Sequence, residues 1–418
     1  MNKKPEIMAP VGNYESLASA IKAGADSVYF GIGKLNMRSR SSVNFTSRDL
    51  KKIVRICKAH NIRTYLTLNT VMYDQDLIEI KRVCNKAKKL GINAIIACDI
   101  AVMQYCRKIG LEVHMSTQAN ISNIQAVKFY SKFADVVVLA RELTLEQIAK
   151  IIKQIKKQDI RGPSGKLIKI EIFIHGALCV SISGKCYMSL AQHNFSANRG
   201  ACLQPCRREY IVKDKETGDE LIVGNKYIMS PKDLCTIRFI DKIIKAGVRV
   251  FKIEGRGRSP DYVYTVVKAY KQAVDSYFEN KLTKELIINL ERQLASVFNR
   301  GFWHGGYYLG KKLGDWAGDY GSKATTEKHF IGLVKHFYPK VHVAEIVLQK
   351  EKIKVGDKIL ITGNTTGIIK TEVGSVFVKE KPKKIAKKGD VDVTISVPEK
   401  VRKGDKIYVL KKKGVNSP

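Results

Sequence analysis

Five of the nine cysteines fall between residues 179 and 235, and four of these, Cys179, Cys186, Cys202 and Cys206, follow the spacing C-x6-C-x15-C-x3-C. Four soft thiolates in one short segment are the donor set of zinc or of an iron–sulfur cluster. The spacing leaves that choice open. Structural zinc sites favour two tight pairs, and only Cys202/Cys206 forms one. The looser pair Cys179/Cys186 encloses Ser181, Ser183 and Gly184, small residues that let backbone N–H groups approach cluster sulfurs. Arg199, Arg207 and Arg208 would offset an anionic cluster, or grip a phosphate. Cys235 is a rival fourth ligand. Ile237, Ile240 and Ile243 after it predict a helix, and a thiol in a first helical turn approaches a metal readily. Cys57, Cys84, Cys98 and Cys106 lie in periodic segments and read as buried free thiols.

These residues need a scaffold. Eight apolar runs predict strands: Glu6–Pro10, Ser27–Ile32, Thr64–Asn69, Ala94–Asp99, Glu112–Thr117, Asp135–Ala140, Glu171–Gly176 and Arg249–Gly255. Helical periodicity separates most of them, for example at Leu77–Leu90 and Thr144–Lys157. Glycines end the helices, as in Lys89-Leu90-Gly91. Eight alternating units imply a (β/α)8 TIM-like barrel within residues 1–320. A doubly wound sheet is the runner-up, but no Gly-x-Gly-x-x-Gly follows the first strand. Barrel function sits at the C-terminal strand ends. Here those ends carry Asn69, Asp99, Ser116-Thr117-Gln118, Arg141-Glu142, His175 and Glu254-Gly255-Arg256. The cysteines belong to an irregular insertion, about 176–228, that follows the seventh strand. From Phe330 the pattern changes to period two with turn signals such as Val355-Gly356-Asp357 and Lys403-Gly404-Asp405. This predicts a small basic antiparallel β-barrel domain over residues 329–414.

The chain carries 74 Lys+Arg against 39 Asp+Glu, a formal net charge of +35. Such a surplus attracts polyanions, and nucleic acid is the expected partner. A Lys-rich host proteome would produce the same bias. No run of eighteen apolar residues exists, so no membrane span is expected. The N-terminal residues lack a signal-peptide pattern, which makes the cytoplasm the expected compartment.

The segment from Glu171 to Ser189, with His175-Gly176-Ala177-Leu178-Cys179 and Ser183-Gly184-Lys185-Cys186-Tyr187, closely resembles the signature of peptidase family U32, the collagenase-like proteases. Ala9-Pro10-Val11-Gly12, Asn198-Arg199-Gly200-Ala201-Cys202, Pro205-Cys206-Arg207-Arg208-Glu209-Tyr210 and Lys252-Ile253-Glu254-Gly255-Arg256 agree with it, over the chain to about residue 310. The resemblance implies a [4Fe-4S] cluster on Cys179, Cys186, Cys202 and Cys206. It also implies oxygen-independent hydroxylation of RNA. The length and the C-terminal domain resemble the branch that converts tRNA wobble uridine to 5-hydroxyuridine with prephenate, in some members with a partner chain. On that reading Arg38, Arg40, Arg141 and Arg256 would hold the carboxylates of the cosubstrate, with Asn69 beside them. Glu171, His175 and Glu254 would transfer protons. Tyr187 and Tyr210 would stack on an extruded base. Two other functions stay open. One is proteolysis, although no Ser/His/Asp constellation or His-Glu-x-x-His motif is present. The other is non-catalytic RNA binding around a structural metal.

Overall fold

The computed structural model describes residues 3–40, 44–182, 184–208, 211–221, 230–310, 317 and 321–413. Ser183 and Tyr210 lie outside the described residues, as do parts of the insertion.

Seven parallel strands follow the chain: β1 (Glu6–Pro10), β2 (Ser27–Gly31), β3 (Arg63–Leu68), β4 (Ala94–Ala97), β5 (Glu112–Met115), β6 (Val136–Val138) and β7 (Lys169–Gly176). Then come β8 (Asp233–Cys235), β9 (Val250–Ile253) and β10 (Phe302–His304). β9 closes the barrel because it pairs in parallel with both neighbours, Val250 standing opposite Glu6 of β1 and Glu171 of β7. The result is a (β/α)8 barrel. β8 is no barrel stave. It runs antiparallel to the end of β7, with Leu234 opposite Gly176 and Cys235 opposite His175, and β10 extends it.

The helices form because their apolar residues recur on one face. In α3 (Leu77–Leu90) the buried residues are Ile80, Val83, Cys84 and Ala87, and Gly91 ends it at φ +84°. In α6 (Leu145–Lys157) Ile148, Ile151, Ile152 and Ile155 are buried, and Thr144 and Gln147 form a capping box. Such stripes pack on the outside of the strands in the main core. Inside the barrel is a smaller apolar cluster of Met8, Tyr29, Tyr65, Ala94, Ile96, Val136 and Val250. Between these side chains stand the buried Glu171, His114 and Lys252.

The C-terminal domain is an eight-stranded antiparallel sheet, ordered from the edge Gly367–Glu372 to the edge Lys381–Pro382, around its own aliphatic core. It packs on α1 (Tyr14–Lys22), where Lys22 Nζ donates to the Ile368 carbonyl at 2.8 Å. Among the described residues, no helix is long and apolar enough to cross a membrane.

Candidate functional site

A cavity of about 240 Å³ opens at the C-terminal ends of the barrel strands. The insertion forms its roof, and hydrogen bonds tie that roof to the loops after β2 and β3. Val71 N donates to the Asn198 carbonyl at 3.0 Å, and Ser39 Oγ donates to the Gly200 carbonyl at 3.2 Å. Gly200 has φ +82°, and a Cβ there would strike the Asn36 carbonyl, so the close approach requires glycine. Arg199 binds Asp76 at 2.5 Å and covers the Tyr73 ring at 4.1 Å. It is therefore a clamp for the insertion. Arg207 donates to Ser230 Oγ at 2.7 Å and to the Leu178 carbonyl, and it lines the cavity. Arg208 is exposed and not among the lining residues.

Cys179, Cys186, Cys202 and Cys206 all line this one cavity. Burial pushes the Cys206 thiol up, and the proximity of Cys179, Cys202 and Cys186 pushes it further. Among the described residues no three His, Cys, Asp or Glu side chains are grouped tightly enough to hold a single metal ion. A mononuclear zinc site needs four donors at about 2.0–2.3 Å from one centre. A multi-iron cluster takes one thiolate on each of several irons, a donor set that four cysteines lining one cavity can supply. Cys235 is elsewhere: it is fully buried in the core, its thiol is pushed up to about 12 by burial, and Tyr270 Oη lies 3.9 Å from its sulfur. It ends strand β8, and the helix that the isoleucines predict does follow, at Ile240–Ala246, too late to hold Cys235 in its first turn.

Among the described residues, seven Arg or Lys side chains line the cavity against a single carboxylate, Glu254. Glu254 receives Arg38 Nη2 at 3.0 Å, and Tyr29 Oη stands 3.3 Å away. Burial alone would raise its pKa, but the guanidiniums of Arg38, Arg141 and Arg256 outweigh burial and hold the carboxyl below its usual range. Arg256 is buried and donates to Asn36 Oδ1 and Thr67 Oγ1, both at 3.0 Å; burial pushes its pKa down to about 10. Asn69 lines the cavity and accepts the Met37 N–H at 3.3 Å. Arg141 lies 4.0 Å over the Phe173 ring and donates to the Ala177 carbonyl, while its buried Nε has no hydrogen-bond partner.

Three expected site residues do not reach the cavity. His175 is 1% exposed and is enclosed by Tyr262, Tyr270 and Phe302, with Tyr270 Oη 3.3 Å from Nδ1. Strand β8 crosses the end of β7 and seals it in. Burial, helped by Arg258, pushes its pKa down to about 3. Arg40 turns outward over the Phe195 ring at 4.7 Å. Glu171 is fully buried below the cavity and reaches it only through Lys252, which it binds at 2.7 Å. Lys252 and His114 went unread in the sequence. Their signal was a charged residue at an inward position of an apolar strand.

The model for Peptidase family U32 matches residues 12–317. The chain belongs to this family. It is 54% identical over 408 residues to a protein of Porphyromonas gingivalis named collagenase, covering 98% of both chains. It is 30% identical over 374 residues to a tRNA hydroxylation protein of Bacillus subtilis, covering 87% of this U32 chain and 84% of that one. A 23S rRNA 5-hydroxycytidine synthase of Escherichia coli is 34% identical over 277 residues, 66% of this chain and 40% of its own. A solved U32 peptidase superposes with a TM-score of 0.40 at 9% identity, over 61% of this chain and 94% of its own.

Proposed function

We propose that this U32 protein is an iron–sulfur-dependent, oxygen-independent RNA hydroxylase that converts the wobble uridine of tRNA to 5-hydroxyuridine. The observation that carries this reading is the convergence of all four motif cysteines and seven cationic side chains on one cavity. Relatives named for tRNA and rRNA hydroxylation support it, as does the net charge of +35. Cys179, Cys186, Cys202 and Cys206 would hold a [4Fe-4S] cluster, which when bound supplies one-electron chemistry at the cavity roof. Arg141, which lines the cavity, binds the carboxylate of a prephenate-like cosubstrate, since Arg256 and Arg38 are committed to Asn36, Thr67 and Glu254. Glu254 stays ionised and serves as the proton acceptor. Tyr187, 69% exposed at the roof, offers a ring on which a base stacks.

The relative named collagenase favours a second reading, proteolysis. Among the described residues no histidine lines the cavity, so a Ser/His or Cys/His mechanism has no base there. Gelatin cleavage by pure, metal-free protein would establish that second reading. The first is tested by tRNA nucleoside analysis in cells lacking the gene, complemented with wild type or Cys186→Ser. The expected result is 5-hydroxyuridine restored by wild type alone. Unchanged hydroxylated nucleosides in the absence of the gene would overturn it.

A further inference from the structure

The barrel interior contains a line of charge that the proposed chemistry leaves unused. At the cavity floor Lys252 lies 4.7 Å over the Tyr29 ring and 5.4 Å over the Phe173 ring. Its Nζ is 2.7 Å from Glu171 Oε1. Glu171 Oε2 is 3.4 Å from His114 Nδ1, and His114 Nε2 is 3.4 Å from Glu112 Oε1. Glu171 is fully buried and His114 is 1% exposed, whereas the Glu112 side chain is 39% exposed. Glu112 is the first residue of β5, so it opens to water at the N-terminal face of the barrel, opposite the cavity. Four titratable groups thus join the reaction chamber to solvent along the barrel axis.

Ordinary barrel packing fills this space with branched apolar side chains. Burying ionised groups there is costly unless each is paired. Neither ring nitrogen of His114 nor Glu171 Oε2 has a well-aligned hydrogen bond, so the contacts on either side of the imidazole are poised rather than locked. The other groups facing His114 are the Tyr65 ring at 4.4 Å, whose Oη donates to Glu6 at 2.7 Å, and Arg63, paired with Glu6. Lys169 acts on Glu112 from β7.

We infer that Lys252, Glu171, His114 and Glu112 form a proton path through the barrel, with Lys252 as the group that exchanges a proton with the bound ligand. When the ammonium loses a proton to the ligand, the amine regains one from Glu171, which takes it from His114 Nδ1. The imidazole is left with its proton on Nε2, so the ring rotates to turn the bare Nδ1 towards Glu112, which protonates it with a proton drawn from water. Charge is conserved in every transfer. Burial disfavours charge on His114, but Glu112 and Glu171 outweigh it and raise its pKa, so the imidazole holds a proton to pass on.

The path rests on the cavity being the reaction chamber of the proposed hydroxylase, so its test has two arms. In the first, the intact protein labelled with 15N-histidine is titrated, and His114 is assigned by its loss in His114→Gln. In the double variant Glu171→Gln/Lys252→Met, which leaves no unpaired charge between the two positions, the His114 pKa should fall by about one pH unit. An unmoved His114 titration would overturn the path whatever the reaction is. In the second arm, single-turnover tRNA hydroxylation should fall on the order of 100-fold in Lys252→Met. His114→Gln should lower kcat without raising KM, with partial rescue by added imidazole. Wild-type rates in His114→Gln at every pH would also overturn it. An inactive wild type with a responsive His114 would sink the hydroxylase reading and leave the path standing.

Discussion

The barrel and the C-terminal domain solve the packing problem in opposite ways. The C-terminal core is aliphatic, with Ile331, Ile359, Ile361, Ile369, Ile395 and Ile407 at its centre and lysines outside. The barrel places Glu171, Lys252 and His114 at its own centre and ends in a cavity ringed by cations. The sheet domain's buried carboxylates lie outside that core and are held locally, Asp405 by Thr366 and Glu345 by Lys335. The barrel pairs its central charges with one another, Glu171 meeting Lys252 towards the cavity and His114 towards the opposite face.

The comparison breaks most visibly at the buried pair. Lys252→Met leaves Glu171 unpaired in the barrel and should cost about 3–5 kcal/mol, most of it recovered in Glu171→Gln/Lys252→Met. Urea unfolding followed by the buried Trp303 measures both. Next, Ile361→Ala should cost about 2–4 kcal/mol, read as faster hydrogen exchange at Lys358–Gly363. It should leave iron content unchanged, because Ile361 belongs to the sheet domain's own core and does not line the cavity.

Acid sharpens the contrast within the barrel. His175 is buried neutral with its pKa depressed to about 3, so the unfolded chain binds a proton that the native chain refuses as pH falls below about 6.5. His175→Phe should relieve about 2 kcal/mol of destabilisation at pH 5. His114 carries the opposite sign. Its raised pKa stabilises the fold below about 6.5, and that contribution is lost as pH rises through its folded value. The smallest effect is expected where the two domains meet in water. Glu15 and Lys406 pair at 3.2 Å with the lysine 47% exposed, and Glu15→Gln should change the barrel's unfolding free energy by less than about 1 kcal/mol.

All eight barrel strands were legible because each is an apolar run between a helix-ending signal and a polar strand end. The bounds of β1 and α3 match the sequence pattern residue for residue. The four cysteines were legible as a set from their spacing in one irregular segment. What the sequence hid was set by pairing at a distance. β8 and β10 are three residues each, too short for a period; β8 exists because it docks on the end of β7, and β10 because it pairs with β8. That docking buries His175, which otherwise reads as a strand-end functional residue. It also turns Cys235 from an expected helix start into a core strand. The short helix Met188–His193 in the insertion was hidden too, since six residues show no periodicity. Lys252 and His114 lay unnoticed inside apolar strands, where only barrel closure reveals that they face each other through Glu171.

Cys179, Cys186, Cys202 and Cys206, gathered at the barrel mouth, would hold the proposed cluster. Iron, acid-labile sulfide and zinc, measured together on anaerobically purified wild type, Cys206→Ser and Cys235→Ser, test it most directly. The expected content is about four irons and four sulfides per chain, lost in Cys206→Ser and kept in Cys235→Ser. One zinc without sulfide, or a cluster lost in Cys235→Ser and kept in Cys206→Ser, would contradict it.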